Sequence, residues 1–492
     1  MTYVIGIDVG SQSVKTTLSG SDGTPVAHAR ASYPTRYPAG GWAEQDPHDW
    51  ERAIAYSVRE VRRRTGVRRD EVEMLALAAQ VDGLVAVDRH LRPLRPAIIW
   101  LDRRATQQSA ELSDAVGEIS LISRTGLNPD ASHTAPKAMW LRDNEPEHYA
   151  QTRWLAPPGG YLGGWLTGEV AQDHANASST LLYDLSAGDW SPELIGLAGL
   201  DAATLPAIRP ACEVLGALRP DAAAALDLWP GCRVAVGTGD DHAAVVGAGA
   251  VCEGVVVDVT GTAEPVATPS TQLMFDEERL VETHAHAVAG MMLIENPGFA
   301  SGASTSWWAR THGIPQSEVF ALAALAPAGS DGVLFVPALA GSTAPRWNAR
   351  IRGCFAGLGL HHERAHMARA ILEGCSFALR DIVDRFAVMG LAGEELRVVG
   401  GGARSPEWLQ IKADVTGRPV RALAAEHATS TGAAMVAAVA AGRFEDLDEA
   451  AASAVRLPQD LVYPRPANAE IYEDAYRAYR RLFDALEAAS DD

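Results

Sequence analysis

Cysteine is scarce in this chain: 492 residues contain five, Cys212, Cys232, Cys252, Cys354 and Cys375, with no CxxC pair among them. Such spacing makes neither a disulfide framework nor a structural zinc site, and it suits a reducing, cytoplasmic setting. Long apolar runs are missing too. The opening MTYVIGID has no basic stretch leading into a long apolar core, and no uncharged run of about 18 apolar residues follows, so export and membrane insertion are not expected. Positive charge is in deficit, with 42 Lys and Arg against 62 Asp and Glu and a formal net charge of -20. That balance excludes nucleic acid and an anionic membrane as general partners, and a phosphorylated ligand would have to be met by local donors. No Pro/Ser-rich linker interrupts the chain, although its length exceeds what one hydrophobic core organises and predicts two domains.

What the sequence does contain is alternation. Strand-like runs at Tyr3–Ile7, Val234–Val236, Val255–Val257 and Leu396–Val399 are separated by alanine-rich helical stretches, which predicts an α/β architecture with helices covering sheets. Helical spacing marks His362–Val388, stopped near Gly390, and the C-terminal stretch Asn468–Ser490. Two strands end alike, in Ile7-Asp8-Val9-Gly10-Ser11 and in Val257-Asp258-Val259-Thr260-Gly261-Thr262, each closing on glycine and a hydroxyl residue. This weak repeat predicts two related halves, residues 1–247 and 248–492, facing one another across a cleft.

Four turns carry the candidate chemistry. In DVGSQSVK, Asp8 to Lys15, Gly10 admits a ligand close to backbone, Ser11 and Ser13 offer hydroxyls, Lys15 offers charge, and Asp8 is placed to hold Mg²⁺ through water. The same residues also read as a plain turn, and Ser21-Asp22-Gly23 closes a hairpin after them. Thr260-Gly261-Thr262-Ala263 repeats the hydroxyl and amide arrangement, with a structural turn as the alternative. Gly400-Gly401-Gly402-Ala403 follows a strand and precedes a helix starting near Pro406, and its bare backbone suits the flat face of an adenine or a ribose, or else forms a flexible loop. It lacks the G-x-G-x-x-G dinucleotide fingerprint. Finally GTGDDHAA, residues 237–244, reads as strand, loop and helix, which puts Asp240 and Asp241 where open α/β sheets collect ligands.

Taken in order, these segments resemble the FGGY carbohydrate kinases of the actin-like ATPase superfamily, the xylulokinases in particular. The resemblance includes GWAEQDP at 41–47, AAQVDG at 78–83 and PAIIWLDRR at 96–104. It includes the first family signature at Ser132–Asn144, where Ala138 replaces a larger apolar residue, and the second at Gly353–Glu373. It implies two actin-like, ribonuclease H-like domains with a catalytic cleft between them, and ATP, Mg²⁺ and a small sugar as ligands. A homodimer is implied by analogy.

By the same resemblance Asp240 is the general base and shares the magnesium with Asp8. Gly10, Ser11, Gln12, Ser13, Lys15, Gly261 and Thr262 line the phosphates, and Gly401, Gly402 and Ala403 receive the adenosine. Gln410 and residues 429–432 border that pocket. A helix N-terminus is expected to keep Asp240 ionised. Gln80, Val81 and Asp82 stand where xylulokinases show Q-M-H, and the carboxylate at 82 accepts sugar hydroxyls, with D-xylulose or another ketopentose as acceptor. Trp100 and Asp102 complete the rim. His242, Trp307, Trp308 and Asn296 are further candidates for the sugar site, but the tryptophans read more readily as core aromatics and the histidine as a buried, hydrogen-bonded ring, and Asn296 also reads as a turn residue. Two other classes fit the fold: a catalytically silent sugar sensor, and an ATPase that hydrolyses ATP without an acceptor.

Overall fold

The computed structural model describes residues 2–423 and 427–490. Two mixed sheets organise the chain on one plan. The first contains β1 (Tyr3–Val9), β2 (Ser13–Gly20), β3 (Pro25–Ser32), β4 (Val72–Ala79), β5 (Val214–Ala217), β6 (Arg233–Ala235) and β7 (Thr238–Gly239). Its order is β5-β6-β4-β1-β2-β3, with β7 continuing beside β4. The second contains β8 (Val255–Thr260), β9 (Glu264–Ser270), β10 (Glu282–Ala285), β11 (Met292–Phe299), β12 (Glu395–Gly400) and β13 (Val420–Ala422), in the order β10-β11-β9-β8-β12-β13. In both, the opening strand runs antiparallel to its successor on one side and parallel to a later strand on the other. The two strands that ended alike in sequence, β1 and β8, hold equivalent places.

Local chemistry explains the covering helices. α1 (Pro47–Thr65) starts where the Asp46 side chain accepts from His48 N and Pro47 fixes the first turn, and it stops at Gly66 with φ 72°. Between them Trp50, Ile54, Val58 and Val61 recur at helical spacing and are buried against Ile5, Ile7 and Leu75, each such side chain contributing about 1.5–3 kcal/mol. In the second half α5 (Arg364–Val388) buries Ile371, Phe377 and Ile382 with Leu396 and Val398 of β12. α8 (Ala469–Ser490) adds Tyr472, Tyr479 and Phe483 to that core.

Two helices cross between the halves. α3 (Asp240–Gly247) leaves the first sheet and packs Val245 on Val257 and Val399 of the second. α7 (Ala428–Ala440) leaves the second and packs Ala434, Met435 and Val436 with Val4, Met74 and Ala76 of the first. They meet where a Cβ on Gly247 or Gly432 would collide with the carbonyls of Ala428 or Ala243. No helix among the described residues is long and apolar enough to cross a membrane.

Candidate active site

Strand register brings the predicted residues together. Thr238 and Gly239 pair with Ala78 and Ala79 on one side of β4, and Val9 pairs with Ala79 on the other. The turns after β1, β4 and β7 therefore open side by side, placing Asp8 and Gly10, Gln80 to Asp82, and Asp240 at one edge. A Cβ on Gly10 would stand 3.4 Å from Asp8 Oδ1 and 3.9 Å from Asp240 Oδ2, so two carboxylates converge over bare backbone. Lys15 Nζ donates to Asp8 Oδ2 at 2.9 Å. Burial nevertheless raises the Asp8 carboxyl above its usual range, with Lys15 opposing.

The first turn is braced from beneath. Tyr33 donates its hydroxyl proton to Gly10 O. Gln45 Nε2 donates to Ser11 O at 2.6 Å, while its Oε1 accepts from Trp50 Nε1 and Gln80 Nε2, both at 2.9 Å. Trp100 Nε1 donates to Ser11 Oγ at 2.8 Å, tying the expected sugar rim to the phosphate turn. Gln12 is exposed, whereas Ser13 is buried at the start of β2 with its Oγ accepting from Arg30 Nε at 3.0 Å. The Ser13 hydroxyl thus faces the sheet rather than an open turn. Tyr33 and Gln45 were not singled out from the sequence, because only the fold brings them under residue 10.

Asp240 is the first residue of α3, and Gly239 rather than Asp240 is the cap. Its Oδ1 accepts from Asp241 N at 3.1 Å, and Asp241 Oδ1 accepts from His242 N at 2.7 Å. Against the helix end, burial, then Asp241 and Asp8, push the Asp240 carboxyl well above its usual range. Desolvation beside two like charges outweighs a fractional dipole.

In the second half the predicted turns present backbone. Thr260 pairs with Gly400 across β8 and β12, so the turns at 260–263 and 400–404 open beside each other. Gly402 lies directly on the Thr260 side chain. The N-terminus of α4 (Ser301–His312) holds the first of these turns, Gly302 N donating to Gly261 O at 3.1 Å and Ala303 N to Thr262 O at 2.9 Å. Gly261, Thr262 and Gly401 remain exposed, and Ala403 is half-buried against the core. Underneath, Lys412 of α6 (Pro406–Thr416) donates to Asp258, to Thr260 Oγ1 at 2.6 Å and to Glu264 Oε1 at 2.9 Å, all buried. The chain has three lysines, and Lys15, Lys137 and Lys412 each end at one of these turns. That scarcity was the signal for the last two.

Around the acceptor turn the outcome is mixed. Asp82 adopts φ 59°, and its Oδ1 lies 3.3 Å from His133 Nδ1. Lys137 Nζ donates to the Asp82 carbonyl at 2.5 Å and to that of Ser132. Val81 packs over Gly239. Asp102 is fully buried, accepts from Ala43 N at 2.5 Å and pairs with Arg104, so its charge is already spent and it offers no free oxygen to a sugar. Asn296 lies inside β11 rather than in a turn, donating to Leu280 O and Thr343 O. Gln410 is tied to Asp414 and to Tyr463 O, and residues 429–432 form the first turn of α7 against β1 and α3. Trp308 is in the core as expected and Trp307 packs against it. His242 is buried, but neither ring nitrogen has a hydrogen-bond partner.

Comparison with known proteins agrees with this geometry. Models of the FGGY family of carbohydrate kinases match residues 3–247 with the N-terminal domain and 258–441 with the C-terminal domain. The xylulose kinase of Lactococcus lactis is 30% identical over 486 residues, covering 98% of this chain and 97% of its own. The glycerol kinase of Polaromonas sp. is 32% identical over 468 residues, covering 91% and 93%. The crystal structure of xylulose kinase from Rhodospirillum rubrum superposes with a TM-score of 0.88 at 29% identity, over 100% of both chains.

Proposed function

The chain belongs to the FGGY family of carbohydrate kinases and is a sugar phosphotransferase with an alcohol group as acceptor, and on that premise we propose that it moves the γ-phosphate of ATP to a hydroxyl of a ketopentose such as D-xylulose. The observation that carries the reading is the convergence of Asp8 and Asp240 over Gly10. We take residues 1–247 as the acceptor-binding domain and 248–492 as the nucleotide-binding one.

In this mechanism the acceptor lies at the Asp82 and Asp240 turns, and its hydroxyl oxygen bonds to the γ-phosphorus as the bond to the β–γ bridging oxygen breaks. The hydroxyl proton passes to Asp240, and ADP leaves. Raising the Asp240 carboxyl strengthens it as a base once it is ionised. Because the transition state is loose, positioning and charge neutralisation contribute more than proton transfer. Lys15 and the turns at 10–13 and 261–262 serve the phosphates, and Gly401, Gly402 and Ala403 the adenosine.

Asp8 and Asp240 also fit Mg²⁺, which takes one or two carboxylates plus phosphate oxygens. Two partly desolvated carboxylates share one space, and among the described residues no set of three His, Cys, Asp or Glu side chains forms a complete protein cage. When bound there, the ion would supply charge neutralisation for the phosphates.

An ADP-release assay across ketopentoses, ketohexoses and polyols tests the proposal. Turnover is expected with a ketopentose, and ATP consumption indifferent to every acceptor would overturn it. A polyol kinase is the second reading, favoured by Asp82 at the acceptor turn and by the similarity to a glycerol kinase.

A further inference from the structure

Buried polar atoms that lack a partner are costly, about 1–3 kcal/mol each, and native cores avoid them. Here they gather beside Asp241. Both ring nitrogens of His242, Nε2 of His286 and Oε2 of Glu295 make no hydrogen bond, and these three residues and His284 are each at most 4% exposed. The rings of His284 and His286 meet His242 edge-on, with centroids 5.7 and 6.3 Å away. Glu295 Oε1 lies 3.2 Å from His284 Nε2, and Glu282 lies 4.0 Å from both His284 and His133. His133 in turn reaches Asp82. A continuous line of acid and imidazole groups thus runs from the Asp82 turn of the first half to the edge strand β10 of the second and its neighbour β11.

The cluster's chemistry is specific. Burial holds the His284 and His286 rings near a pKa of about 3, so each is neutral and carries one donor and one acceptor nitrogen. Asp82, Asp241, Glu282 and Glu295 supply acceptor oxygens or, when protonated, a single O–H. Hydroxyl groups, which donate and accept at once, complement every unpartnered atom. An anionic ligand would set a further negative charge among four carboxyls.

We propose that Glu295 and His284 are specificity-determining residues of the acceptor site, receiving acceptor hydroxyls away from Asp240, and that they confine the protein to uncharged polyhydroxy acceptors and reject aldonates. This rests on the kinase reading for the acceptor's place beside Asp240. Glu282 and His133 are positioning residues that hold Glu295 and His284 through the contacts above.

Calorimetric binding of xylitol, D-xylulose and xylonate, alongside ADP, tests it in the full-length protein. Wild type is expected to bind the neutral compounds at least about 100-fold more tightly than xylonate. Glu295→Gln should weaken neutral binding about tenfold or more, narrow that gap, and leave ADP affinity unchanged. His284→Asn should do the same. Equal wild-type affinity for xylonate and xylitol overturns the inference whatever the variants do. So does a folded Glu295→Gln protein with unaltered acceptor binding, or one that loses ADP and acceptor in parallel with its Tm. Neutral binding without phosphate transfer sinks the kinase reading alone and leaves this one standing.

Discussion

The two halves furnish the turns at their strand ends in opposite ways. After β1 and β7 the first half presents carboxylates, Asp8 and Asp240, with Lys15 beside them. After β8 and β12 the second presents backbone, Gly261 and Gly400–Gly402, and hides its ionisable groups below as the Lys412, Asp258 and Glu264 set. One topology therefore hosts two surfaces, converging carboxylates on one side and bare backbone on the other, the first proposed for proton handling and the second for the nucleotide. Where the second half does bring acid and imidazole groups to the first, it uses the edge strand β10 and its neighbour β11.

If that division of labour holds, Asp240→Asn should cost kcat the most, about 10²–10⁴-fold, while calorimetry finds ADP affinity unchanged. Transfer that survives the substitution would break the comparison at its first term. Next in size, Lys412→Met leaves Asp258 and Glu264 buried without their cation, and denaturant titration should show a loss of about 3–5 kcal/mol. A stable variant would mean that the second half's charges are not structural.

A third test lies between the halves. Burial pulls the His133 ring down, but Asp82, Glu282 and Asp130 outweigh it and hold the pKa at about 9. A histidine raised above its unfolded value of about 6.5 stabilises the fold fully below that pH and loses the contribution as pH climbs through about 9. Unfolding free energy should therefore fall by up to about 3 kcal/mol over that window, and Asp82→Asn should flatten the slope. A Tm independent of pH from 6.5 to 9 would contradict it. The smallest effect is expected from Gly302→Ala. Its methyl would collide with the Gly261 carbonyl, displacing the second turn at about 1–3 kcal/mol. Nucleotide KM should rise with acceptor KM unchanged.

Much of this was legible locally. Val234 to Ala244 reads as strand, turn and helix because β-branched residues, glycine and alanine change over a few positions, and β6, β7 and α3 follow that pattern. The duplicated turns foretold two sheets of one plan. What the sequence concealed depends on distant partners. Asp102 reads as a free rim carboxylate until Arg104 and Ala43 N are seen to take its oxygens. Asp240 reads as a carboxylate eased by a helix end until burial, its neighbour Asp241 and then Asp8 from another strand are seen to raise it. Glu282, His284 and Glu295 carry no motif at all, since they matter only once β10 and β11 lie against the segment around His133.

The crossed helices α3 and α7 have a consequence for how the polypeptide can be divided. Cut after Gly247, the leading fragment would expose the Val4, Met74 and Ala76 side of its sheet, and the trailing one would expose Val257 and Val399. Neither piece is a self-sufficient folding unit despite the tidy duplication. Co-expressed fragments should reassemble by each lending the other the layer it lacks, whereas either alone should aggregate.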